Sequence, residues 1–205
     1  MDETIDISII IPCHNLEDYI KPMLLSLQAL NLKDITAEVI FVLDDCTDRT
    51  EDVIRKYAHE FPYKIIHCNV HSCGLARNEG LEIARGTYVW FVDGDDWIIY
   101  PDVLQNALPL LNKSGEEVIQ LKFISNFFKM EHFAMVWQYI YRRSAIGDLR
   151  FTEIQPHEDR DFNKEFFTQH NLTDIYFFEI PTYFYNYKRP GSNTHQLMTT
   201  GEIKP

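Results

Sequence analysis

The chain has 205 residues, 45% of them hydrophobic and 24% charged, an ordinary balance for one globular core. Nineteen Lys and Arg against 31 Asp and Glu leave a formal net charge of −12, which argues against nucleic acid as the partner, since binding it requires a positive face. No stretch approaches the roughly 20 apolar residues of a membrane span. The acidic start MDETIDIS is unlike a signal peptide. Cys13, Cys46, Cys68 and Cys73 show no CxxC or Cys/His metal spacing, so they read as free thiols of a cytoplasmic protein.

Residues 7–12 (ISIIIP) are β-branched and apolar throughout and predict a strand covered on both faces. Over 16–30, Ile20, Met23, Leu24, Leu27 and Leu30 recur at helical spacing. A second strand follows at 37–43 (AEVIFVL), then a helix over 48–61 that Thr47 or Asp48 caps. The third strand is 64–70 (KIIHCNV), its helix 75–85, and the fourth strand 87–92 (TYVWFV). Pro101 opens a further helix as its N1 residue. After Asn112 the rhythm changes. Strands are expected at 117–123 and 137–142, a helix with an acidic first turn at 157–170, and an extended aromatic run at 175–187.

Strand and helix alternate four times in the first half, the rhythm of a doubly wound α/β sheet whose ligands bind at the carboxyl ends of the strands. Pro12 to Asn15, Asp44 to Asp48 and Asp93 to Asp96 all fall at such ends. Asp93-Gly94-Asp95-Asp96 places three carboxylates in four positions. An Asp-Gly turn explains part of that pattern. A hard divalent cation, Mg²⁺ or Mn²⁺, explains the rest, because it prefers oxygen ligands and bridges them to phosphates. Gly94 gives a ligand close access to the backbone.

Asp44-Asp45 before the second helix is more acid than capping requires, and either one can accept from a base or a ribose. Arg77, near the start of its helix, opposes the helix dipole. A diphosphate or pyrimidine partner accounts for it, as does a salt bridge to a nearby Asp. His157-Glu158-Asp159 suits a helix N-terminus, and a carboxylate there is well placed as a general base. Residues 187–195 (YKRPGSNTH) form a basic stretch in an acidic chain, an ordinary surface loop or a lid over a leaving diphosphate.

Taken together, ISIIIPCHN, LDDCTDRT, GLARNEGL, ARGTYVWFVDGDDWIIYPDVL, WQYIYRRS, RFTE…HEDRDF and YNYKRPGSNT resemble the family 2 glycosyltransferases, in order and over nearly the whole chain. The resemblance implies a single α/β domain of the GT-A type, a doubly wound, Rossmann-like mixed sheet flanked by helices. Residues 1–112 would form the nucleotide-sugar half and 113–205 the acceptor half. It implies an inverting, metal-dependent enzyme of bacterial polysaccharide or glycoconjugate synthesis, performing hexosyl or N-acetylhexosaminyl transfer from a UDP-sugar to a carbohydrate or lipid-linked saccharide acceptor. Peripheral membrane contact is compatible with such an acceptor.

By position, Pro12, His14, Asn15, Asp44 or Asp45, and Arg77 match the donor pocket. Asp93 matches the ribose-contacting residue of the DXD motif, Asp95 the metal-bridging one, and Gly94 lies between them. Asp159 matches the base and Glu158 its supporting residue. Arg189 and Ser192 match the diphosphate-closing loop, and His195 adds a metal contact to Asp93 and Asp95. Gapless alignment of LDDCTDRT places Leu43 at the family's first Asp, whereas a one-residue gap keeps both Asp44 and Asp45. A non-catalytic nucleotide-sugar-binding module is the alternative, and a nucleotidyltransferase is disfavoured because PCHNLED is no triphosphate loop.

Overall fold

Apolar β-branched runs in the first half become four parallel strands, and helices cover both of their faces. The computed structural model describes residues 4–126, 135–153, 157–173, 175–186, 189–190 and 192. In chain order the elements are β1 (Ile7–Cys13), α1 (Lys21–Gln28), β2 (Ala37–Asp44), α2 (Thr50–Tyr57), β3 (Tyr63–Cys68), α3 (Cys73–Ile83) and β4 (Tyr88–Phe91). There follow β5 (Trp97–Ile98), α4 (Val103–Ser114), β6 (Val118–Ser125), β7 (Tyr139–Arg142), α5 (Arg143–Ile146), α6 (Glu158–Gln169) and β8 (Tyr176–Tyr185).

Among the described residues the strands form one eight-stranded sheet in the order β3-β2-β1-β4-β7-β6-β8-β5. β1 to β4 are mutually parallel, and β7 joins β4 in antiparallel register, Val89 opposite Tyr141. All of β1 and β2 is buried, as their apolar runs require. Alternate residues feed two cores. Ile9, Ile11 and Phe41 pack with α1, α2 and α4 on one face, while Ile10, Ile40 and Val42 pack with α3 and α6 on the other.

Several boundaries differ from the sequence pattern because tertiary ties override it. Residues 16–20 form a turn in which Tyr19 and Ile20 N–H both donate to Leu16 O at 2.9 Å, so α1 starts only at Lys21. Asp48 accepts from Thr50 N–H and Glu17 N–H, each at 2.9 Å, and α2 therefore begins at Thr50. Pro101 precedes α4 in a turn closed by Val103 N–H to Tyr100 O at 3.1 Å, and the helix accommodates Pro109 internally. Trp137 lies in a 3₁₀ turn ahead of β7, 1% exposed and stacked on Tyr183 at 4.7 Å between centroids.

Gly86 brings the α3–β4 connection against β1. A Cβ there would lie 2.4 Å from Ser8 N, 2.6 Å from Ile7 C and 2.7 Å from Tyr88 O, all of them backbone atoms. Gly86→Ala is expected to destabilise the fold by about 3 kcal/mol or more, because no side chain can yield. Urea unfolding followed by fluorescence measures this.

Candidate active site

A cavity of about 630 Å³ opens at the carboxyl ends of β1, β2 and β4, beside β1 where the strand order reverses. Of the residues singled out from sequence, Pro12, His14, Asn15, Asp44, Asp93, Gly94, Asp95, Arg189 and Ser192 line it. Asp45, Arg77, Glu158 and Asp159 stand outside its wall, and His195 lies outside the described residues.

The loops at the strand ends are bound to one another by side chains. Asp44 accepts from the N–H groups of Val70 (2.8 Å), His71 (3.1 Å) and Ser72 (3.0 Å), which fixes the entry to α3. His14 Nδ1 donates to Asp44 O at 2.6 Å. Asn15, in the left-handed region at φ 49°, accepts from Thr47 N–H at 2.8 Å. Asp45 also has a left-handed φ of 47°, and its carboxylate turns outward to within 3.8 Å of His71. A Cβ at Gly94 would meet Leu16 Cδ1 at 2.7 Å and Ile11 Cγ2 at 3.4 Å, so its missing side chain makes room for the β1 side of the wall.

Each carboxylate of the Asp93–Asp96 turn has its own partner. Asp93 accepts from Arg77 Nη2 at 2.7 Å, and Asp95 pairs with Arg189 Nε. Asp96, 1% exposed, accepts from Tyr183 OH at 2.8 Å and Asn186 N–H at 2.7 Å, while Asp93 N–H donates to Tyr183 OH at 3.1 Å. Burial raises the Asp95 carboxyl; Arg189 opposes that shift and the charge of Asp93 reinforces it. Burial, aided by Asp95 and Asp93, pushes Asp96 well above the usual carboxylate range. Asp96 thus braces the turn from behind. Tyr183 and Tyr19 carry no sequence signal, Tyr183 being one of 11 tyrosines, and Asn186 lies in YNYKRPGSNT without being singled out there.

Arg77 is 2% exposed and joins both sides of the site. Its Nη2 holds Asp93 and its Nη1 holds Asp159 Oδ1 at 2.6 Å, with the guanidinium 5.5 Å from the centre of the Phe151 ring. The salt-bridge account of Arg77 is therefore what the fold contains, twice over. Burial disfavours the Arg77 charge, but Asp159, Asp93 and Glu158 outweigh it and hold the group well above its ordinary pKa. Asp159 sits at the start of α6, where the helix dipole favours an anion, and its Oδ2 accepts from Val136 N–H at 3.3 Å. Burial drives its pKa up to about 6; Arg77 pulls down, while Asp93 and Glu158 push up. Among the described residues, Arg77 Nε and Glu158 Oε2 are buried without a hydrogen-bond partner.

Among the described residues no three His, Cys, Asp or Glu side chains cluster as a ligand set. Asp93 and Asp95 nevertheless present two oxygen donors on the cavity wall, the one-or-two-carboxylate set that Mg²⁺ or Mn²⁺ takes alongside phosphate and water. The residues fit such an ion.

The sequence pattern of Glycosyl transferase family 2 matches residues 8–189. The chain belongs to this family. It is 30% identical over 195 residues to the uncharacterized glycosyltransferase EpsJ of Bacillus subtilis, covering 80% of this chain and 56% of that protein. It is 34% identical over 118 residues to TarS of Staphylococcus aureus, a poly(ribitol-phosphate) beta-N-acetylglucosaminyltransferase, covering 56% of this chain and 20% of TarS. The chain thus spans less than two thirds of either relative. The crystal structure of S. aureus TarS 1–349 with UDP-GlcNAc superposes with a TM-score of 0.83 at 25% identity, covering 93% of this chain and 60% of that one. A Pyrobaculum calidifontis mannosyltransferase solved with GDP-Man and Mn²⁺ shares the fold at 16% identity and a TM-score of 0.72. The family 2 chain has the expected GT-A-type α/β fold in a single domain. No helix among its described residues is long and apolar enough to cross a membrane.

Proposed function

We propose that this family 2 glycosyltransferase moves a hexose or N-acetylhexosamine from a UDP-sugar to an acceptor hydroxyl with inversion, in bacterial polysaccharide or glycoconjugate synthesis. The observation that carries this reading is the Asp93–Arg77–Asp159 bridge, buried at Arg77 and Asp159. It ties a carboxylate on the cavity wall to one whose pKa of about 6 suits a general base near neutral pH. The UDP-GlcNAc bound to TarS supports the donor class. Four free cysteines agree with a cytoplasmic setting.

Asp159 takes the proton of the acceptor hydroxyl as that oxygen attacks the anomeric carbon from the face opposite the diphosphate. The carbon–diphosphate bond breaks, and the electron pair leaves with UDP. Arg77 keeps Asp159 aimed and ionised until it accepts the proton. Asp93 and Asp95 would hold Mg²⁺ or Mn²⁺, which neutralises charge on the leaving diphosphate. The acceptor class proposed is a carbohydrate or lipid-linked saccharide.

Proton NMR of the product tests the stereochemistry; an axial donor bond must become equatorial, and retention would overturn the mechanism. Calorimetry tests the metal. Asp95→Ala should weaken UDP binding in Mn²⁺ by about tenfold or more and leave it indifferent to the ion. Wild-type UDP affinity that ignores Mn²⁺ would count against the proposed set.

A further inference from the structure

We infer that Arg189 is a resident cation occupying the metal's place on Asp95, exchanged for a divalent ion when a nucleoside diphosphate binds. The inference rests on the metal-dependent reading above and deepens it. Three carboxylates line the cavity, and each is neutralised differently. Asp44 accepts three backbone N–H bonds. Asp93 is held by Arg77, whose side chain is 3% exposed and shared with Asp159. Asp95 is held by Arg189, their side chains 14% and 18% exposed.

The two arginines are unequally committed. Arg77 cannot leave without stranding two carboxylates, the buried Asp159 and the partly buried Asp93. Among the described residues the Arg189 side chain is paired with Asp95 alone, and its guanidinium lies 5.1 Å from the centre of the Tyr19 ring. Tyr19, Asp95 and Arg189 all face the cavity.

A guanidinium and a divalent cation on one carboxylate repel each other, so the ion must displace Arg189. A diphosphate gives the displaced group somewhere to go, because the guanidinium fork matches phosphate oxygens. Nucleotide then lowers the cost of removing Arg189 from Asp95, and the metal frees Arg189 for nucleotide. By linkage each ligand raises the other's affinity. Arg189 thereby keeps the empty site neutral and discourages the ion from binding alone.

Calorimetric titration of Mn²⁺ into full-length wild type and Arg189→Ala, with and without UDP, tests the exchange. Without UDP, Arg189→Ala should bind Mn²⁺ roughly tenfold tighter than wild type, the scale of one lost charge-assisted contact. With Mn²⁺ present, the same variant should bind UDP more weakly. Tyr19→Leu keeps the guanidinium but removes its ring support, and should tighten Mn²⁺ binding a few-fold, the scale of one cation–π contact. It supplies the reading if Arg189→Ala does not fold. Unchanged or weaker Mn²⁺ binding by the variants without UDP, with wild type still binding Mn²⁺ in its presence, overturns the exchange and spares the metal reading. Absence of Mn²⁺ binding even with UDP overturns both.

Discussion

Asp159→Asn is expected to lower sugar transfer by about 10²–10⁴-fold, the range a positioned general base contributes, while UDP and Mn²⁺ binding change little. Asn has the same shape, and its Oδ1 still accepts from Arg77 Nη1, so the bridge to Asp93 survives. The capacity to take a proton is lost, together with the carboxylate charge and the acceptor for Val136 N–H. The same assignment fixes a pH profile. With the carboxyl at about 6, kcat should plateau above neutrality and fall about tenfold per pH unit well below 6. The stability sign is the reverse. The folded carboxyl binds its proton more tightly than an unfolded Asp, so its stabilising contribution is complete below the unfolded value of 3.8 and lost as pH rises through about 6. Near-wild-type turnover by Asp159→Asn would move the base elsewhere, with Glu158 the nearest carboxylate along the helix.

Arg77→Met is expected to be the most destabilising exchange in the site. Met matches much of the volume but leaves Asp93 and Asp159 without a counter-charge, and stranding the partners of a buried ion pair costs about 3–5 kcal/mol. For a chain of this length that is a fall in Tm of about 6–20 °C. Arg77→Lys keeps the charge, but a single ammonium does not span two carboxylates as the planar fork does, and an intermediate loss is expected. Adding Asp159→Asn to Arg77→Met should recover part of the stability by removing one stranded charge. Thermal unfolding of the three variants at pH 7.5 measures these effects, and an unshifted Tm for Arg77→Met would show the bridge to be structurally idle.

β1 and β2 were legible because they are buried on both faces and read as unbroken apolar runs, whereas β3, at the sheet edge, is only partly buried. Boundaries were less legible. Residues 16–20 have helical spacing, but that stretch is spent on a turn tied to α2, where Thr50 Oγ1 accepts from Leu16 N–H at 2.7 Å. β5 is two residues long and exists only through pairing with Tyr183 and Phe184 of β8, so no local pattern announces it. The acidic turn stood out as a concentration of charge. Arg77 and Arg189 stood out too, but not which carboxylate each one holds, since Arg77 lies 16 residues before Asp93 and Arg189 lies 94 after Asp95. Separation in sequence hides such pairs, and only the fold brings them together.

The brace behind the turn also has a kinetic side. Tyr183 and Asn186 reach Asp96 across 87 and 90 residues, and β5 is pinned by the same stretch of β8. Contacts that distant close slowly, because loop entropy is spent before they reward it. The local βα units of the first half can form early. The Asp93–Asp96 turn is set only when β8 docks, so a ribosome-bound chain lacking β8 carries the nucleotide-side sheet before it carries a finished acidic turn.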